Sequence, residues 1–324
     1  MILVTGGSGF VGRHLVKALI GGTEAVRVLT RSASSVQGLS GAEIVIGDLA
    51  DAASVARAVD GVRVVIHLAA RVAGSDHGAA DVFAMNVHAT ATLAAASREA
   101  GIEQFIHVSS GGVYGNGRTS TLHRETDRPQ PGDAYERSKL AAEEVLVERL
   151  SHGRTSFTML RSAGIYGHGR AATRAFFDEV RRRRYWIHGS PNVLVHPTHV
   201  TDVVQACRLV LDRAHDSPRV VNVAGERALP FQEYVALVAA ALDVPVRQLV
   251  VPSRVGRPAA RAAATGMRLV GAPVPATVDR MRSAWINRGL DISLAQRMLG
   301  FSPISLRDGL RQTVEAMRVD SRTA

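Results

Sequence analysis

Through roughly the first half of the chain, short β-branched runs alternate with longer, Ala-rich segments whose apolar positions recur at helical spacing. The runs Met1 to Thr5, Ala25 to Thr30, Glu43 to Ile46, Arg63 to Leu68, Gln104 to Ser109 and Ser156 to Arg161 are candidate strands. Between them, Phe10 to Ile20, Asp51 to Val59, Ala80 to Ala100 and Asp133 to Leu150 are candidate helices. Continuous apolar stretches such as Val64-Val65-Ile66 suit strands covered on both faces. This βαβ rhythm predicts an α/β fold with a doubly wound parallel sheet.

Beyond Ser162 the rhythm breaks into Pro- and Gly-rich pieces mixed with helices at Ala172 to Arg184, Val200 to Ala214 and Phe231 to Leu242. A strand is expected at Val220 to Val223, and helical spacing continues through Arg254 to Arg288. Ser305 followed by Asp308 resembles a capping box opening a last helix. A smaller, mixed carboxyl-terminal lobe is therefore expected beside the sheet.

Composition narrows the classes. The chain has 324 residues, 46% hydrophobic and 21% charged, in the range of ordinary globular proteins. No apolar stretch reaches the ~20 residues of a membrane span. The chain opens directly on a strand and a glycine turn, with no leader pattern, and its single cysteine, Cys207, excludes a disulfide framework. A cytoplasmic protein is expected. The formal charge of +10 suggests a polyanionic partner, but only two of the 39 basic residues are lysines, Lys17 and Lys139. So strong an arginine bias reads as a compositional habit. The densest basic run, Arg181 to Arg184, reads as a solvated helix end, and no nucleic-acid partner is expected.

Gly6, Gly9 and Gly12 lie directly after the first strand and directly before a helix. Glycines there permit a tight turn and close approach of a pyrophosphate, whose charge the helix amides and dipole offset. Gly6, Gly9, Phe10, Val11 and Gly12 are the candidate contacts. At the end of the second strand, where NAD-binding chains carry an acid for the ribose hydroxyls, this one reads Leu29-Thr30-Arg31-Ser32, with no acid between Ala25 and Ala42. Arg31 can pair with a 2′-phosphate, so NADP is favoured over NAD. Asp48 and Leu49 after the third strand, and Leu68, Ala69 and Ala70 after the fourth, complete the expected cofactor wall.

Tyr135 and Lys139 stand four apart on a predicted helix and share one face. A phenol of pKa ~10 is a poor acid-base group near neutrality, and an adjacent ammonium favours the phenolate. Lys139 can also reach the nicotinamide ribose, so both residues count as catalytic and cofactor-binding candidates. A chain nearly devoid of lysine has placed one here. Ser109 and Ser110, just past the fifth strand, both offer a hydroxyl for a substrate oxygen.

Taken together, these motifs resemble the extended short-chain dehydrogenase/reductases, which include nucleotide-sugar epimerases and dehydratases, 3β-hydroxysteroid dehydrogenases and dihydroflavonol reductases. The likeness also runs through Gly47-Asp48-Leu49, His67-Leu68-Ala69-Ala70, Asn86, Leu160-Arg161 to Gly167 and Leu299-Gly300-Phe301-Ser302-Pro303. It implies a Rossmann-type sheet, hydride transfer at a secondary alcohol or ketone with Tyr135 passing the proton, and a homodimer through the helices near 80–100 and 133–150. By the family pattern the catalytic serine is Ser110. The dinucleotide part is expected over residues 1–161 with about 198–223, and the substrate lobe over 162–197 and 224–324.

Nucleotide-sugar members carry an Asn where this chain has Gly164, and an Arg where it reads Asn192 to Val200. Both departures weaken a diphosphate-binding reading and, together with Arg31, favour an NADP-dependent oxidoreductase acting on a small, mainly carbocyclic or lipid-like substrate. The alternative is a nucleotide-sugar epimerase or 4-ketoreductase. A dinucleotide sensor without catalysis would dispense with Tyr135 and Lys139. His196 and His199 invite a metal reading, but no further ligands are signalled and no metal is expected.

Overall fold

The computed structural model describes residues 1–71, 78–115, 121–182, 184–188, 194–213, 217, 219–251, 253–269, 272 and 289–323. Strands β1 (Ile2–Thr5), β2 (Val26–Thr30), β3 (Ala42–Ile46), β4 (Val64–His67), β5 (Gln104–Ser110) and β6 (Ser156–Ser162) alternate with helices α1 (Phe10–Leu19), α2 (Ala52–Val59), α3 (Ala79–Glu99) and α4 (Ala134–Leu150). There follow β7 (Ile165–Tyr166), α5 (Ala171–Arg181), β8 (Arg184–His188), β9 (Leu194–Val195), β10 (Thr198–His199), α6 (Val200–Leu211) and β11 (Val220–Val223). The remainder forms β12 (Leu229–Pro230), α7 (Phe231–Ala241), β13 (Arg247–Val251), α8 (Ser253–Leu269), α9 (Ser293–Leu299) and α10 (Leu306–Thr323).

Among the described residues, seven strands pair in parallel in the order β11-β6-β5-β4-β1-β2-β3. The chain reverses its direction of growth between β1 and β4, and in open α/β sheets that switch point opens a crevice at the carboxyl ends of the strands. Side chains alternate across the sheet, so Ile2 and Val4 pack with Leu15 and Val16 of α1 and Val203 and Cys207 of α6. Leu3, Val65 and Phe105 face the other way, toward Val55 of α2, Leu93 of α3 and Leu146 of α4. This double burial is why β1 is apolar at consecutive positions.

A separate cluster joins α5, α7 and α10 through Phe177, Val180, Tyr234, Val238, Leu310 and Val314. Helix ends follow their caps. Asp51 accepts from the amides of Ala53 and Ser54, Asp133 and Glu136 form a reciprocal box at α4, and Ser305 caps α10 through the Asp308 amide.

The expected strands and helices of the first half lie within one residue of their observed ends. Beyond Ser162 three expectations change, one being that the helix expected over Val200 to Ala214 ends at Leu211. The helix placed at Ala172 to Arg184 stops at Arg181, and Arg184 instead begins β8, which pairs in parallel with β13. The solvated-helix-end reading of Arg181 to Arg184 therefore fails at Arg184. The short strands β7, β9, β10 and β12 also carried no local pattern. Of the expected helical stretch Arg254 to Arg288, α8 covers the first part, while residues 273–288 lie outside the described residues.

Candidate active site

Gly6 follows β1 with φ +73, a left-handed conformation, and a Cβ there would stand 2.6 Å from the amide nitrogen of Ala69. The absence of a side chain thus lets the loop after β1 touch the loop after β4 at the switch point. The Gly9 amide closes a turn onto the Gly6 carbonyl at 2.9 Å, and Gly9 caps α1 with no side-chain acceptor for the first amides. Uncapped amides at a helix N-terminus are the kind of group that receives an anion.

A cleft of about 640 Å³ opens here. Of the expected cofactor contacts, Gly6, Gly9, Arg31, Asp48, Leu49, Leu68, Ala69 and Ala70 line it. Gly12 sits behind the loop, where a Cβ would meet the Gly6 carbonyl oxygen at 2.1 Å. The side chains of Phe10 and Val11 are not brought to the cleft: Phe10 packs edge-on against His14 and beneath Gly167, and Val11 packs on the core. Their backbone amides alone remain available. Asp48 accepts from the Ala50 amide at 2.9 Å.

Sequence reasoning missed the hydroxyl cluster beside Arg31. Thr30 Oγ1 and Ser35 Oγ are 2.8 Å apart, as are Ser32 Oγ and Ser34 Oγ, and Thr30, Ser32 and Ser35 line the cleft. Arg13 ties this segment to the glycine loop by donating to the carbonyls of Ser8, Ser35 and Gln37. The Ser-rich run after the second strand was the available signal. Glycine backbone, uncapped amides, a guanidinium and hydroxyls arranged along one cleft match the phosphates and riboses of a dinucleotide.

On the other side of β4, Asn86 of α3 donates to the Arg71 carbonyl at 3.0 Å and accepts from the Arg71 amide at 2.7 Å. It also donates to Ser138 Oγ at 2.9 Å, fastening the post-β4 loop to α4 one residue before Lys139. Lys139 is buried, with Nζ donating to the Val108 carbonyl at 2.8 Å and lying 3.1 Å from His107 Nε2. Burial draws its pKa down to about 8, against the raising effect of Glu143. Tyr135, one turn earlier, is half-buried.

The two serines separate. Ser109 is buried and donates to Glu143 Oε1 at 2.5 Å. Glu143 is also held by Arg161 at 2.7 to 3.2 Å, so Ser109 belongs to an internal network. Ser110 Oγ accepts from the Gly112 amide at 3.1 Å, which leaves its proton undonated among the described residues.

Of the paired histidines, His196 donates from Nε2 to the Gly225 carbonyl at 3.0 Å and accepts the Leu290 amide at Nδ1. His199 Nδ1 lies 2.7 Å from Thr201 Oγ1. Both nitrogens of His196 and one of His199 are thus engaged within the protein. A second cavity of about 230 Å³ is framed by β7, α5, β9 and the start of α7, with Phe176, Phe177, Phe231 and Tyr234 in its wall and Arg170 at its edge. The Phe176 and Tyr234 rings stack with centroids 5.5 Å apart.

Residues 2–224 match the sequence profile described as the NAD dependent epimerase/dehydratase family. The chain belongs to that family. Its relatives within this extended short-chain dehydrogenase/reductase group include a 4-hydroxy-2-methyl-3-oxo-4-farnesyl-3,4-dihydroquinoline-1-oxide ketoreductase from Stigmatella aurantiaca, 32% identical over 65% of this chain and 64% of the relative. A 3 beta-hydroxysteroid dehydrogenase/Delta 5→4-isomerase from Mycobacterium tuberculosis (strain CDC 1551 / Oshkosh) is 32% identical over 55% of this chain and 51% of its own. The chain thus spans between half and two thirds of the length of these curated relatives. Among solved structures, MoeE5 in complex with UDP-glucose and NAD superposes with a TM-score of 0.77 at 26% identity, covering 99% of both chains.

The Gly6 loop follows β1, and α4, which carries Tyr135 and Lys139, follows β5, so the two come from strands on either side of β4; Ser110, Tyr135 and Lys139 are not among the residues lining the 640 Å³ cleft. No helix among the described residues is long and apolar enough to cross a membrane. Among the same residues no group of three or more His, Cys, Asp or Glu side chains is arranged to hold a metal ion.

Proposed function

We propose that the protein is an NADP-dependent oxidoreductase that interconverts a secondary alcohol and a ketone on a small, mainly apolar, ring-bearing substrate. The observation that carries this reading is the second cavity: its aromatic wall offers stacking area and few polar groups, unlike a site built for a diphosphate. Gly164, in that wall, supplies no side chain where sugar-nucleotide enzymes place an amide. The activities that two relatives are named for, on a hydroxysteroid and on a farnesylated quinoline ketone, support the same substrate class.

The residues divide the work. Tyr135 exchanges a proton with the substrate oxygen while Ser110 donates a hydrogen bond to it. Lys139 holds positive charge beside the phenol, stabilising the phenolate that takes the alcohol proton in oxidation. Bound NADP supplies the hydride donor or acceptor. Arg31, exposed at the cleft and without a hydrogen-bond or ion-pair partner among the described residues, pairs with the 2′-phosphate, with the Thr30 to Ser35 hydroxyls beside it. In this reading residues 1–161 and about 198–223 carry the dinucleotide, and 162–197 with 224–324 shape the substrate pocket. The protein acts in the cytoplasm as a homodimer, paired through α3 and α4, on which Phe83 and Val147 are exposed.

The test is absorbance at the reduced-nicotinamide band with NADP⁺ or NAD⁺ and a 3β-hydroxysteroid, against UDP-glucose as the competing substrate. Stoichiometric reduction of NADP⁺ with the steroid is expected, and it should vanish in Tyr135→Phe while dinucleotide binding persists. Arg31→Ala should weaken NADPH binding about tenfold or more and leave NADH within about twofold, the loss of one charge-assisted contact. An unchanged NADPH/NADH ratio overturns the 2′-phosphate assignment.

The full-length likeness to a UDP-glucose complex favours a second reading, a nucleotide-sugar epimerase or 4-ketoreductase. If it is an epimerase, UDP-glucose is converted with no net change in reduced nicotinamide.

A further inference from the structure

Lys139 and His107 form a contact that the proposed chemistry has not used. Both are almost wholly buried, at 2% and 1% exposure, on facing elements α4 and β5. An ammonium has three donors and no acceptor, so the 3.1 Å approach requires His107 Nε2 to be the unprotonated nitrogen and Nδ1 to carry the ring proton. Nδ1 itself finds no hydrogen-bond partner among the described residues, although it is buried. The ring gives its one satisfied nitrogen to the lysine. With the Val108 carbonyl taking a second N–H, one donor of the ammonium is left over among the described residues.

The surroundings keep both groups in these states. Burial, then the Lys139 charge, then His67 hold the His107 imidazole well below its ordinary pKa and therefore neutral. His67, tilted against it with centroids 5.1 Å apart, accepts from Thr5 at Nδ1 and donates from Nε2 to Thr90, whose own proton goes to the Asn86 carbonyl. On α4, Tyr135 stands four residues before Lys139 and Glu143 four residues after it, and Arg170 carries an electrostatic contact with Tyr135. Glu143, the one carboxylate acting on Lys139 among the described residues, is itself engaged by Arg161 from β6 and by Ser109.

We propose that His107 is a positioning residue for Lys139, fixing the ammonium through a neutral acceptor so that its charge stays available to Tyr135 and its remaining N–H to a dinucleotide ribose. The inference rests on the roles given above to Tyr135 and Lys139. A carboxylate at position 107 would hold the lysine equally well, but it would cancel the field that favours the phenolate. An aliphatic side chain would leave the ammonium with one acceptor fewer in a buried site.

The lysine count makes a direct test practical, because a protein labelled with 13Cε-lysine shows two side-chain signals, and Lys17→Arg assigns them. The Lys139 midpoint is expected to fall by about one pH unit or more in His107→Leu, to stay within about half a unit in His107→Gln, and to rise in His107→Asp. The same midpoint in folded His107→Leu as in the unsubstituted protein overturns the proposal. If His107→Leu does not fold, equal midpoints in the Gln and Asp variants overturn it. So does a 15N-histidine spectrum placing the His107 proton on Nε2. In NADP-linked turnover of the 3β-hydroxysteroid, His107→Leu should lower kcat about tenfold with KM little changed, while His107→Gln restores most of it. Should no turnover be found in the unsubstituted protein, the oxidoreductase reading fails by itself, and the lysine titrations still decide the role of His107.

Discussion

Removing the Glu143 carboxylate tests whether the buried network under the site is the rigid support that its geometry describes. The Glu143 and Arg161 side chains are 3% and 7% exposed, and Arg161 reaches the carboxylate through Nε at 3.1 and 3.2 Å and Nη2 at 2.7 Å. Arg161 Nη1 also donates to the Tyr114 hydroxyl at 2.9 Å, which in turn donates to Asn222 Oδ1 at 2.8 Å. Glu143→Leu therefore strands a buried guanidinium and the Ser109 hydroxyl, a change that destabilises by about 3–5 kcal/mol in comparable buried pairs. At about 2 °C per kcal/mol for a chain of this size, Tm should fall by roughly 6–10 °C. Urea unfolding followed by far-ultraviolet circular dichroism measures the loss. Combining Glu143→Leu with Arg161→Met should recover most of it, because the penalty comes from an unpaired charge and not from missing contact area. A single variant within about 1 kcal/mol of the parent, or a double variant as unstable as the single, would refute the reasoning.

Two further outcomes follow from the geometry. Gly12→Ala forces a methyl to within 2.1 Å of the Gly6 carbonyl oxygen, so the loop must shift; stability should drop by about 1–3 kcal/mol and the NADPH dissociation constant, read by fluorescence quenching, should rise at least about tenfold. Burial holds the pKa of His67 down to about 3 and those of His196 and His199 to about 4, all below the ordinary 6.5, so their contribution is full above pH 6.5 and is lost as pH falls through the folded values. At pH 5 each costs about 2 kcal/mol of stability. Asp202, raised by burial to about 6, opposes this by gaining stability as pH falls, but three imidazoles outweigh one carboxyl. Tm should decline from pH 7 to pH 5, and a flat profile would contradict the buried neutral assignments.

Most of the parallel sheet was legible because its strands are buried on both faces, so that apolar runs such as Val64-Val65-Ile66 mark them without any tertiary information. The β8–β13 pair was not. Arg184–His188 and Arg247–Val251 become strands only through each other, and a pairing so distant in sequence leaves no local pattern in either partner. The same distinction runs through the site. Gly6, Gly9 and the Tyr135/Lys139 spacing are local motifs, whereas the separation of Ser109 from Ser110 depends on Glu143 arriving from α4, and the part played by His107 depends on β5 facing that helix.

The lysine at position 139 then acquires a structural reason. Around position 139 the described acceptors are His107 Nε2 and the Val108 carbonyl, and Lys139 itself is only 2% exposed. A guanidinium brings five donors in a rigid plane and never releases its charge, so an arginine here would leave several N–H groups buried without acceptors. Three tetrahedral donors, two held and one left over, match what the fold provides. In a chain that otherwise spends arginine on almost every basic position, the residue at 139 is constrained by the number of acceptors beneath it, and a Lys139→Arg variant should fail on that ground even though the charge is conserved.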